Sequence, residues 1–155
     1  MIKGRRMATG IPTIVLAVCM ISASADAQPH RISRHPETGY SGSINRDALD
    51  SGLAAPTITG TFDGAGGVAI VIVSGDQTLP QRGSFANIPN TVLYGFSDHG
   101  GDIELDYSKN SFTSGTFSYT IDTLLKSGIY TVAEYVFGGG WSRSKLVASV
   151  RMMVR

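Results

Sequence analysis

From residue 56 onward the chain is written in short apolar runs separated by turn residues. The runs are "PTITGTF" at 56–62, "GVAIVIVS" at 67–74, "TVLYGFS" at 91–97, "GDIELDY" at 101–107, "GTFSYTID" at 115–122, "GIYTVAEYVF" at 128–137 and "KLVASVRMMV" at 145–154. They are built largely of β-branched and aromatic residues, which suit a pleated, half-buried surface. In 115–122, Phe117, Tyr119 and Ile121 share one face, and Thr116, Ser118 and Thr120 share the other. In 145–154, Leu146, Ala148, Val150, Met152 and Val154 share one side, opposite Lys145, Ser149 and Arg151. Such alternation marks a strand with one buried face. The run 67–74 is apolar on both parities and is expected to be a central strand. "FDGAGG", "SDHGG" and "KSG" are turn chemistry. No segment keeps a helical period. Seven short strands with turns between them predict an all-β, two-sheet antiparallel sandwich over residues 56–155.

The front of the chain has a different texture. Lys3, Arg5 and Arg6 precede an apolar run from Ile11 to Ile21, and "SASADAQP" follows with Ala25-Asp26-Ala27 in the small-x-small pattern. These three parts predict a secretory signal peptide over 1–27, cut between Ala27 and Gln28. The run is shorter than the roughly 20 apolar residues that a membrane-spanning helix needs. Cys19 is the only cysteine and lies inside that signal, so the exported chain is expected to fold without a disulfide. Removing 1–27 leaves 10 basic and 11 acidic residues. A near-neutral chain lacks the basic surface of a nucleic-acid binder. Residues 28–55 are polar, with Pro, Gly and Ser scattered through them, and read as a flexible segment with one helical turn near Asn45 to Leu49.

The stretch Leu125-x-x-Gly128-x-Tyr130-x-Val132 resembles the tyrosine corner of immunoglobulin-like sandwiches. With "APTITGTF" and "SGTFSYTI" ahead of it, the region 55–155 resembles the bacterial immunoglobulin-like (Big-type) modules of exported proteins. The resemblance implies a seven-stranded immunoglobulin-like sandwich in which Tyr130 turns its hydroxyl back to upstream backbone and Gly128 permits the turn. Two features depart from the disulfide-bonded domains. Val132 stands where they carry a cysteine, and the third strand offers Tyr94 and Phe96 in place of a buried tryptophan. The architecture by itself implies no single activity.

Candidate chemistry is sparse. Asp102, Glu104 and Asp106 fall on one face of a strand, roughly 7 Å apart, and with Asp98 are a candidate calcium site. The plainer reading is an edge strand whose charges discourage pairing with another sheet. Glu134 shares parity with the inward residues Tyr130, Val132 and Val136. Either a bulge at Ala133–Glu134 turns it outward and brings Tyr135 and Phe137 inside, or it has a partner, since a lone buried carboxylate is costly; a functional buried acid is the remaining reading. In "FGGGWSRSK", Trp141 follows three glycines and is flanked by Arg143 and Lys145. This loop is the expected recognition site for a protein or glycan; the alternative is that Trp141 caps the end of the sandwich. His30 and His35 lie in the polar segment, and His99 sits beside Asp98 on one turn. No set of residues converges as a triad, nucleophile elbow, phosphate loop or zinc site.

The expectation is therefore a non-catalytic exported module, periplasmic or extracellular, that binds a protein or glycan. The alternative is a small exported hydrolase or inhibitor acting through its loops. Mass spectrometry of protein recovered from the periplasm or medium should give an N-terminus at or near Gln28. An intact Met1, or a lipid on Cys19, would overturn export with cleavage at that site.

Overall fold

The computed structural model describes residues 39–97, 101–138 and 143–155, all within one compact unit, Ile32–Arg155. The expected signal peptide, with Cys19, lies outside the described residues. Eight strands form among the described residues: β1 (Ser41–Ile44), β2 (Thr57–Asp63), β3 (Gly67–Ser74), β4 (Thr91–Phe96), β5 (Ile103–Tyr107), β6 (Gly115–Thr120), β7 (Gly128–Phe137) and β8 (Lys145–Val154). They pair into two four-stranded antiparallel sheets, β1-β2-β6-β5 and β4-β3-β7-β8. Ile58, Phe62, Phe117, Tyr119 and Ile103 of the first sheet meet Val68, Ile70, Ile72, Val132, Val136 and Met152 of the second in one core.

Seven strands are where the sequence pattern puts them; the count is corrected to eight by β1. Its residues, Ser-Gly-Ser-Ile, carry almost no apolar signal, and only Ile44 is buried. They become a strand because β2 offers an edge, with Ser41 opposite Asp63 and Ile44 opposite Gly60. The flexible reading of 28–55 is thus corrected over 41–55. The turn expected near Asn45 to Leu49 is present: the Asp50 N–H donates to the Arg46 carbonyl (2.9 Å) and buries Leu49.

The second sheet is covered on both faces. Ala69, Val71, Val73, Ala133, Tyr135 and Phe137 point away from the first sheet and pack under Leu79, Phe85 and Ile88 of the β3–β4 connection. That connection is pinned: the Tyr135 hydroxyl donates to the Pro80 carbonyl (2.8 Å), and the Leu146 N–H donates to Gln81 (3.0 Å). Phe96 packs against this second cluster. Tyr94, on the same outward face of β4, is 48% exposed and takes no place in either core cluster.

The start of β7 is held by its tyrosine. The Tyr130 hydroxyl donates to the Lys126 carbonyl four residues upstream (2.7 Å), and the Leu125 N–H donates to Ala54 (2.9 Å) with its side chain buried. The role expected for Gly128 is corrected. Its φ is not in the left-handed region, and an added Cβ would make only ordinary contacts, the nearest 3.8 Å away on the Tyr130 ring. Tyr130→Phe should therefore lower unfolding free energy by about 1 kcal/mol through the lost hydrogen bond. Gly128→Ala should leave stability close to wild type. Denaturant titration of the two variants checks both outcomes.

Candidate functional site

The outward face of the first sheet is built from hydroxyls. On β2 the outward residues are Thr57, Thr59 and Thr61, and on β6 they are Thr116, Ser118 and Thr120. Antiparallel register sets them in rows: Ser43, Thr61, Thr116 and Asp106 stand across all four strands. Thr59, Ser118 and Glu104 form the next row, and Thr57 with Thr120 the third. Neighbours in a row are one strand spacing apart, about 4.8 Å, and rows are about 7 Å apart. Ser43 and Thr61 share a hydrogen bond of 2.8 Å, and Thr57 and Thr120 one of 3.3 Å. Side chains this short leave a groove of about 500 Å³ over the sheet. Asn45 and Ser43 line one side and Glu104 and Asp106 the other.

Of the predicted site residues that are described, two line this groove. Asp102, Glu104 and Asp106 are exposed at β5, and Glu104 and Asp106 line the groove. Asp98 and His99 lie outside the described residues, as do His30 and His35. Among the described residues no group of three or more His, Cys, Asp or Glu is placed to hold a metal ion. Trp141 also lies outside the described residues. Arg143 is exposed just ahead of β8, and the Lys145 ammonium donates to the Tyr40 carbonyl (3.4 Å). Among the described residues no helix is long and apolar enough to cross a membrane.

Glu134 departs from the bulged and the paired readings. β7 pairs with β3 without interruption, from Gly67 opposite Phe137 to Ser74 opposite Tyr130. No bulge on that side turns the carboxylate outward. The irregularity is on β8, where Ala148 faces Glu134 and Leu146 faces Tyr135, so Val147 is the extra residue. It moves Leu146 to the outer cluster, away from the side it was expected to share with Ala148 and Val150. Glu134 stays between the sheets at 0% exposure, and neither carboxylate oxygen has a hydrogen-bond partner among the described residues. Its carboxylate lies against the α-carbon of Gly42 on β1, where any Cβ would collide with it. Burial pushes the Glu134 pKa up to about 9. Burial likewise raises Tyr135 to about 12, and burial followed by the charges of Asp102 and Asp122 raises Tyr119.

Chemically, the groove can exchange hydrogen bonds with a polyhydroxylated or polar ligand and attract positive charge at its Glu104–Asp106 side. The sequence signal for this surface is the use of Thr and Ser, not charge, on the polar parity of two separate runs. Their adjacency depends on strand order and is not local information. Comparison with protein-family models, curated proteins and solved structures found no match.

The sign of the Glu134 effect follows from its raised pKa. The folded chain keeps the proton between about 4.5 and about 9, while the unfolded chain has lost it above about 4.5. Stability is therefore greatest below that window and falls as pH rises through it. Glu134→Gln removes the titration. Between about pH 5 and about pH 8, the variant's stability relative to wild type should rise by roughly 1.4 kcal/mol per pH unit. Urea titrations across that range check it, and parallel pH profiles for the two proteins would refute it.

Proposed function

We propose that the chain is an exported, non-catalytic immunoglobulin-like module that binds a glycan through the hydroxyl-lined groove of its first sheet. The strand order supports the fold assignment. With β1 as the first strand, β1-β2-β6-β5 and β4-β3-β7-β8 match the A-B-E-D and C′-C-F-G orders of an immunoglobulin sandwich. β7 then takes the place of the strand that carries the tyrosine corner, and the Tyr130–Lys126 bond has the form that corner takes. The place of the buried tryptophan passes to β3, which agrees with the exposure of Tyr94 on β4. Export rests on the features of residues 1–27.

The groove is the observation that carries the binding reading. Rows of hydroxyls closed by two carboxylates offer donors and acceptors at repeated spacing, which complements the hydroxyls along a sugar chain. The free edge of β5 is a less suitable dock for a polypeptide strand, because Glu104 and Asp106 charge it. The described acid with a large pKa shift, Glu134, is sealed in the core, where no substrate reaches it. That favours binding over hydrolysis.

The reading is tested by presenting the protein to envelope and extracellular polysaccharides. Thr59→Val with Thr116→Val removes two hydroxyls while keeping the β-branched shape that suits a strand. This double variant should bind about tenfold more weakly at an unchanged melting temperature. If Trp141→Ala abolishes binding and the threonine variant binds normally, recognition lies in the 138–142 loop and the groove reading fails. Capture of a protein but no polysaccharide would also refute it.

A further inference from the structure

A second polar cavity, of about 290 Å³, lies where the β1–β2 connection meets the end of β8. It is lined by Arg46, Leu49 and Asp50 of the connection, by Arg151 and Met153 of β8, and by Arg155 just beyond it. Three arginines and one acidic side chain, Asp50, thus line it, although the chain beyond residue 27 is close to neutral. Asp50 offsets only part of that charge. It pairs with Arg46 alone, at 3.8 Å, with both side chains mostly exposed. Arg151 and Arg155 have no carboxylate partner among the described residues.

The cavity is held in shape by backbone. The Asp50 N–H donates to Arg46 (2.9 Å), and the Arg155 N–H donates to the Gly52 carbonyl (3.2 Å), which ties the strand end to the turn. Gly52 has φ of 75°, in the left-handed region that favours glycine. The stem of Arg155 lies over it: an added Cβ would stand 3.2 Å from both Cγ and Cδ. Leu49 plugs the turn into the core, and Met153 gives the cavity an apolar wall.

We propose that this cavity binds a phosphate group, free or as an ester, through the guanidinium groups of Arg46, Arg151 and Arg155. Guanidinium is planar and always charged. It presents paired N–H donors that match the oxygens of a phosphate. Three such groups around one carboxylate leave an excess positive charge that a phosphate neutralises. The apolar wall at Met153 suits the organic part of an ester.

The probe is inorganic phosphate, titrated into the protein while backbone amide NMR is recorded. Residues 46–52 and 151–155 should shift together and saturate. Arg151→Gln and Arg155→Gln should each weaken binding about tenfold, with the rest of the spectrum unchanged. Asp50→Asn should tighten it several-fold by removing the one carboxylate, a gain that a misfolded variant would not produce. No saturable shift in these two segments, wild-type affinity in both arginine variants, or no gain in Asp50→Asn would each overturn the proposal. The source of the phosphate is read from vesicles. Sedimentation with phosphatidylcholine carrying about one part in four phosphatidylglycerol, absent with phosphatidylcholine alone and lost in Arg155→Gln, identifies a lipid headgroup. A saturable phosphate response without sedimentation identifies a soluble phosphate compound.

Discussion

Strand β7 contributes eight consecutive buried residues, from Tyr130 to Phe137, and a strand can be buried on both faces only if each face has its own cover. One cover is the first sheet, whose Ile58, Phe62 and Phe117 meet Val132 and Val136. The other is the β3–β4 connection, which brings Leu79, Phe85 and Ile88 over Ala133, Tyr135 and Phe137. The rest of the architecture follows from that double burial. β3 must be equally apolar because it pairs with β7 along its whole length. The long connection must be closed down by hydrogen bonds such as Tyr135 to Pro80, since a loose cover would leave a row of aromatics in water.

The same constraint accounts for Glu134. Uninterrupted pairing with β3 fixes which way every β7 side chain points, so the carboxyl is carried into the interior. The extra residue is on β8, the last strand of its sheet, next to the short pairing of Lys145 with Arg82. With no partner for either oxygen among the described residues, the neutral form is the one that the interior tolerates. Gly42 lets β1 close over the carboxyl at all, because no side chain stands between the two strands there. The shortest strand therefore seals the most costly group in the core.

β1 and the turn behind it also join the two polar surfaces. Ser43 and Asn45 line the groove on the first sheet, and Arg46 and Asp50 line the cavity beside β8. Each surface draws on residues far apart in sequence, and each is stiffened by backbone bonds into the neighbouring strands. A segment with little apolar content thus contributes to the core seal, to the groove and to the arginine cavity. Docking it on a finished edge costs little internal rearrangement, because β2 already presents unpaired backbone groups.

Seven of the eight strands were legible in the sequence because their evidence is local. Alternation in 115–120, apolar residues on both parities in 67–74, and Gly, Asp and Asn between runs need no knowledge of neighbours. The bond from Tyr130 to backbone four residues away was legible for the same reason. Tertiary structure alone decided what depends on partners. β1 has no pattern of its own and exists as a strand through pairing with β2. The side on which Leu146 packs was set by a bulge at Val147 that no local feature announces. For Glu134 the pattern leaves a bulge or a buried partner open, and pairing on both sides of β7 outweighs the cost of one neutral carboxyl. The hydroxyl rows and the arginine cavity were invisible because residues such as Thr61 and Thr116, or Arg46 and Arg155, become neighbours only once strand order is chosen. Strand order is set by how whole faces fit together, and that information is spread over the entire chain.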